Sequence, residues 1–303
     1  MLNIVASIFI LMALGWAFKK YGLMGDGAEK AFNQYLFYLA LPALTIVKIA
    51  DTSFAGLGLD FIALNFLPIL AVMVFVYAGW KAGLFDWPFA RLMIIVAGLG
   101  NTVYLGFPVV SMSLGPENIG YAAIAASLQN VFIFTFGFFF MGTVCGGDCP
   151  AVSFRRLVLK NAILWSSLAG LCISYSGLKI PGFIHNLLTD VGRTTLPLSL
   201  FTIGLSLYGK SLRQHLGKVA WIAGLKMVYM PAVYVGLALL LGFRGTVAKV
   251  TFLQLGMPVA VLNYVIAKEF EFDADLVAQS IVFSTLLLLP LLFVFDLVMK
   301  FFL

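Results

Sequence analysis

Long apolar runs alternate with short polar interruptions along the whole chain. The runs cover approximately residues 2–18, 31–50, 60–80, 89–114, 118–144, 157–175, 184–208, 216–241, 246–267 and 275–302. A helix needs about 20 apolar residues to cross the hydrocarbon core of a bilayer. The pattern therefore predicts an all-α membrane protein with ten transmembrane helices joined by short loops.

Composition points the same way. Of 303 residues, 62% are hydrophobic and 11% charged, and the mean hydropathy is +1.04. Soluble domains carry about 45–50% apolar and about 25% charged residues, so lipid must be the main solvent and no separate soluble domain fits. The first run, Leu2 to Phe18, has no basic residue ahead of it and Lys19-Lys20 behind it. A cleaved secretory signal has the opposite charge order, so this run is read as a retained first span.

The basic residues give an orientation. Lys19, Lys20, Lys30, Lys81, Arg91, Arg155, Arg156, Lys160, Lys210, Arg213, Lys218 and Lys268 fall on one side of the ten spans. Lys48, Lys179, Arg244, Lys249 and Lys300 fall on the other. The richer side is cytoplasmic by the positive-inside rule, which puts both termini outside a multi-pass protein of the cytoplasmic membrane. Topology thus explains the net charge of +6 better than nucleic acid does. Cys145-Gly-Gly-Asp-Cys149 offers too few ligands for a metal site and reads as loop.

The two halves resemble one another. Tyr21-Gly22-Leu23 and Ser176-Gly177-Leu178 each follow a span, and Leu41-Pro42 and Leu196-Pro197 each lie within one; both pairs are 155 residues apart. Pro68 and Pro231 correspond at an offset of 163, and Leu105-Gly106-Phe107-Pro108-Val109 matches Leu255-Gly256-Met257-Pro258-Val259 at an offset of 150. Five spans is an odd number, so the second copy must enter the membrane from the opposite face. The chain divides into a first repeat, 1–144, a cytoplasmic linker, 145–156, and a second, inverted repeat, 157–303. Inverted repeats are the architecture of many secondary transporters.

Spans four and nine should be broken helices. Gly98, Gly100, Asn101, Gly106 and Pro108 crowd one, and Gly256-Met257-Pro258 interrupts the other. Proline lacks the backbone donor and glycine supports helix poorly. Unwound backbone is not tolerated against lipid, so both breaks must be buried or line a polar cavity. Pro108 and Pro258 suit the first turns of the second half-helices, whose free N–H groups would favour an anion. The first half-helices end there too, and their carbonyls could hold Na⁺ or a proton donor. Which pole faces a ligand is open.

Polar groups inside spans are candidates for the site. Asn101, Gln129, Asn130, Gln254 and Asn263 are amides that either contact a substrate or hydrogen-bond neighbouring helices. Lys226 is a cation deep in span eight. It either attracts an anionic substrate, neutralises carbonyls at a break, or snorkels to the headgroups. Asp190 and Arg193, three residues apart, are suited to pair with each other. No acidic pair lies mid-membrane, which argues against a cation exchanger and for an organic or anionic substrate.

Leu41-Pro42-Ala43-Leu44, Gly100-Asn101-Thr102-Val103-Tyr104-Leu105-Gly106-Phe107-Pro108, Leu196-Pro197-Leu198 with Gly204, and Gly256-Met257-Pro258 resemble the auxin efflux carrier family of bacterial and plant transporters. The resemblance implies two inverted five-helix repeats, with spans four and nine crossing at Pro108 and Pro258, a fold shared in outline with bile acid–sodium symporters. It implies carriage of organic anions: auxin in plants, carboxylates such as malate or malonate in bacteria. Substrate would lie beside Asn101, Pro108, Asn130 and Pro258. The chain lacks the long central loop of many plant members, as a compact prokaryotic carrier would.

The leading expectation is an alternating-access carrier of small carboxylates, with spans one, two, six and seven as scaffold and the rest as crossover core. Its candidate substrate contacts are Asn101, Gly106, Pro108, Gln129, Asn130, Lys226, Gln254, Gly256, Pro258 and Asn263. A sodium-coupled, bile-acid-like symporter is the nearest alternative and a channel the next. No cofactor or metal is expected, and the sequence leaves Na⁺ or H⁺ coupling and a homodimer open. His185 and His215 stand near span ends, and no hydrolase motif accompanies them, which argues against an enzyme.

Overall fold

The computed structural model describes residues 2–25, 27–54, 57–137, 139–140, 161–209 and 215–303. The expected linker 145–156, with Cys145 and Cys149, lies outside the described residues, as do Lys210 and Arg213. Among the described residues the chain is helical, with one isolated β-bridge and no strand. In chain order the helices are α1 (Leu2–Lys20), α2 (Ala28–Ala50), α3 (Leu59–Lys81), α4 (Trp87–Gly98), α5 (Gly106–Leu114), α6 (Pro116–Gly137) and α7 (Ala162–Ser176). They continue with α8 (Gly182–Arg193), α9 (Thr195–Leu207), α10 (Leu216–Leu240), α11 (Thr246–Leu255), α12 (Leu262–Glu269) and α13 (Ala274–Phe301).

Five of these, α2, α3, α6, α10 and α13, are long and apolar enough to cross a membrane, and α4 and α7 are shorter apolar helices. The runs read as spans four, seven and nine are each divided in two, as α4 with α5, α8 with α9 and α11 with α12. The divisions fall at Leu99–Leu105, at Thr194 and at Gly256–Val261.

Local chemistry accounts for the ends and irregularities. The Asp86 carboxylate accepts from the Phe89 amide at 2.8 Å to start α4, and Asp273 accepts from Leu276 at 2.9 Å to start α13. Asn161 accepts from Ile163 and Leu164, both at 3.1 Å, at the start of α7. Pro42 and Pro231 each follow a π-turn, Leu36–Ala40 in α2 and Leu225–Tyr229 in α10. The residue before each proline donates five residues back, Leu41 to Leu36 and Met230 to Leu225. The wider turn makes room for a ring with no N–H to offer.

The helices gather into two compact units, and each unit draws on both sequence halves. The first comprises Met1–Gly56, Val103–Ser127 and Asn161–Gly209. Within it α1 and α9 approach to backbone contact: a Cβ at Gly15 would collide with the Phe201 carbonyl, and one at Gly204 with the Met12 carbonyl. Small residues permit this close packing where lipid gives no hydrophobic drive between helices. Asp51 at the end of α2 pairs with His185 of α8 at 3.0 Å, and Arg193 pairs with Asp190 at 3.3 Å as its spacing predicts.

The second unit comprises Leu57–Thr102, Leu128–Lys160 and Lys210–Leu303. Its core is apolar and aromatic, with Ile69, Val72, Val76, Ile94, Tyr234 and Leu288 fully buried. The Tyr234 hydroxyl donates to the Ala248 carbonyl at 2.8 Å, tying α10 to α11. This unit holds the unwound ends of α4 and α11.

Candidate functional site

Two unwound segments of the second unit meet and satisfy each other. Helix α4 stops at Gly98, and Leu99 takes extended dihedrals, φ −92 and ψ 106. Gly100 then forms an antiparallel bridge with Val259. The Asn101 amide donates to the Pro258 carbonyl at 2.7 Å, and the Ala260 amide donates to Leu99 at 3.1 Å. The Val259 amide donates to the Ser284 hydroxyl of α13 at 3.1 Å. Backbone groups that leave a helix in a dry interior must find partners nearby, and here each break supplies them to the other.

Side chains complete the joint. The Asn263 amide, in the first turn of α12, donates to the carbonyls of Val96, in the last turn of α4, at 3.3 Å and of Leu99, just beyond it, at 3.0 Å. Its own carbonyl oxygen has no partner, nor has the amide nitrogen of Asn101, which is 4% exposed. Gln254, fully buried in the last turn of α11, has a partner at neither amide atom. Gly256 follows α11 against the Phe295 ring. Pro258 lies in the unwound segment ahead of α12, not in its first turn, because Pro258 uses its carbonyl to bridge to Asn101.

Lys226 is the ionisable side chain at this joint. It is fully buried, so it does not snorkel. A Cβ at Gly100 would lie 2.8 Å from both Cε and Nζ of Lys226 and 3.5 Å from the Met257 carbonyl oxygen. Only glycine at position 100 lets the lysine approach so closely. The ammonium donates to the Met230 sulfur at 3.6 Å, a soft and neutral acceptor. Among the described residues no carboxylate pairs with it; Asp51, Asp86, Asp190 and Asp296 pair elsewhere.

The other expected site residues fall differently. The Gln129 amide donates to the Asn65 side chain at 2.9 Å, and Asn65 donates to the Phe61 carbonyl, so Gln129 joins α6 to α3. Asn130 is half-buried. Gly106 and Pro108 are buried in the first turn of α5 and belong to the first unit. Sequence reasoning missed Asn65 and Ser284. It also missed Gln279 and Thr285 of α13, whose side-chain oxygens are buried without partners. Polar residues recurring in the apolar run of α13 were the available signal.

Chemically, the second unit holds in and beside these unwound segments a buried lysine, one free amide donor and an uncommitted amide. That set suits a carboxylate, which accepts hydrogen bonds and neutralises the ammonium. Among the described residues no group of His, Cys, Asp and Glu could hold a metal ion.

Comparison with known proteins gives a consistent class. The family model described as Membrane transport protein matches residues 1–147 and 151–295. An uncharacterized transporter of Methanothermobacter thermautotrophicus is 26% identical over 293 residues, 93% of this chain and 93% of its own. A protein named "Putative malonate transporter" from Rhizobium meliloti is 23% identical over 295 residues, 94% of this chain and 91% of its own. Auxin efflux carrier component 1 of Arabidopsis thaliana is 25% identical over 142 residues, which are 45% of this chain and 23% of the plant protein.

Proposed function

Because the chain belongs to the membrane transport protein family, that of the auxin efflux carriers, we propose that it is a secondary carrier that moves small organic anions by alternating access. It is an integral membrane protein and not an enzyme. In this reading it lies in the cytoplasmic membrane with both termini outside. Ten helices form two inverted repeats that cross at Pro108 and Pro258. Support comes from the matched Leu-Gly-x-Pro-Val segments, and from the helix divisions that follow Gly98 and Leu255.

The single observation that carries the anion reading is Lys226, a fully buried lysine beside the unwound backbone at Gly100. An intramembrane charge is expensive and is kept where it meets a ligand or counter-charge. The Asn101 amide and Gln254 add uncommitted polar groups in the same unit. The malonate named for the Rhizobium meliloti relative belongs to the same chemical class.

A thermal-shift screen of organic acids on the purified protein, with and without Na⁺ and across pH, tests the reading, since a ligand stabilises the state it binds. Small carboxylates should raise the midpoint, and Asn101→Ala and Asn130→Ala should weaken that response. An unchanged response in both variants would remove the helix breaks as the site. A requirement for Na⁺ would identify a sodium-coupled symporter.

A further inference from the structure

Recognition of a carboxylate does not by itself account for a lysine placed so deeply. Lys226 is fully buried and has a neutral sulfur as its hydrogen-bond acceptor, 3.6 Å away. Asn65, Asn101, Gln129, Gln254, Asn263 and Gln279, the buried amides of its unit, carry no charge. An ammonium in such surroundings is unfavourable until an anion joins it. Its closeness to Gly100, whose backbone bridges to Val259, places the lysine where the two helix breaks meet.

We propose that the protein is an obligatory exchanger: one carboxylate neutralises Lys226, the loaded carrier changes its access state readily, and the empty carrier does not. The inference rests on the carboxylate-carrier reading above. Changing access requires an occluded state from which water is excluded, and there the net charge of the site decides the barrier. The loaded site holds an ion pair and is neutral. With Lys226 protonated, the empty site holds a lone cation. The return step therefore waits for a second carboxylate from the far side, and each inward passage is matched by an outward one. Na⁺ has no part, because the resident ammonium already supplies the positive charge.

Uptake of [14C]pyruvate, and of [14C]malonate in acidic buffer where hydrogen malonate carries a single charge, into proteoliposomes tests this. Vesicles are left empty or preloaded with the same unlabelled acid, in Na⁺ or in K⁺ buffer. Preloading should speed initial uptake by roughly tenfold or more, given the cost of an unpaired intramembrane charge, and equally in both buffers. Equal uptake by empty and loaded vesicles would overturn the exchange inference and leave the carrier reading standing, as would rapid filling of empty vesicles under a Na⁺ or pH gradient. Uptake of neither acid in any vesicle would overturn the carboxylate reading and the exchange inference with it. Lys226→Met and Lys226→Gln give a second arm: in either variant that remains monodisperse, preloading should lose its effect. Stimulation that persists there would exclude Lys226 as its origin.

Discussion

The side-chain amide of Asn263 donates to the main-chain carbonyl of Leu99 at 3.0 Å, joining positions 164 residues apart. Leu99 and Val96 present carbonyls at the end of α4, where partners within the helix run out. In Asn263→Ala both lose a buried donor, at a cost of about 1–3 kcal/mol. Thermal unfolding in detergent should show a lowered midpoint. Asn263→Asp keeps the shape without the donor and should fare no better.

Gly100→Ala would place a Cβ 2.8 Å from Cε and Nζ of Lys226, so its cost is set by how far the buried end of that side chain can shift. Removing the obstacle should help. The Gly100→Ala, Lys226→Ala double variant is expected to unfold at a higher temperature than additive losses would give. Strict additivity across the three midpoints would mean that the two residues are not in contact.

The amides should separate into two kinds. Gln129→Ala and Asn65→Ala each break the 2.9 Å bond between α6 and α3. Their stability losses should be coupled, by about 0.6 kcal/mol, with carboxylate affinity unchanged. Asn101→Ala should instead weaken affinity by roughly tenfold, or about 1.4 kcal/mol, with a small effect on the midpoint. Calorimetric titration of the four proteins distinguishes the two behaviours.

In the first unit, Gly204→Val forces a side chain into the Met12 carbonyl of α1. Overpacking of this kind costs about 1–3 kcal/mol, and the yield of monodisperse protein should fall with it. Gly236→Ala is the control. No atom lies within 4 Å of a Cβ built there, and its helical position should gain about 0.4–1 kcal/mol.

The sequence made the helices and their breaks legible, because both are local properties. Apolar runs announced the helices, and Gly98, Gly100, Gly256 and Pro258 announced where two of them unwind. It was silent on what the freed backbone does next. Ser284 looks like any serine in an apolar helix, yet it receives the Val259 amide at 3.1 Å. Gln129 and Asn101 are both amides in apolar runs, and only packing shows that one is tied to Asn65 while the other has a free nitrogen. Lys226 could be flagged as a buried charge, but its closeness to Gly100 depends on two helices far apart in sequence. The expectation for Pro258 erred for a similar reason. Proline at a helix start is a local preference, and here the Pro258 carbonyl is committed to Asn101 at 2.7 Å.

The bridge between Gly100 and Val259 also sets a timetable for biosynthesis. When α4 leaves the ribosome, the Leu99 carbonyl and the Asn101 amide have no partners, and those partners have not been translated. Asn263 lies 164 residues downstream of Leu99, an interval on the order of ten to thirty seconds at ordinary elongation rates. A break left bare in lipid for that long is unfavourable. The nascent first half must therefore wait with Leu99–Asn101 near water, beside the translocon or under a chaperone, until the second half arrives to close it.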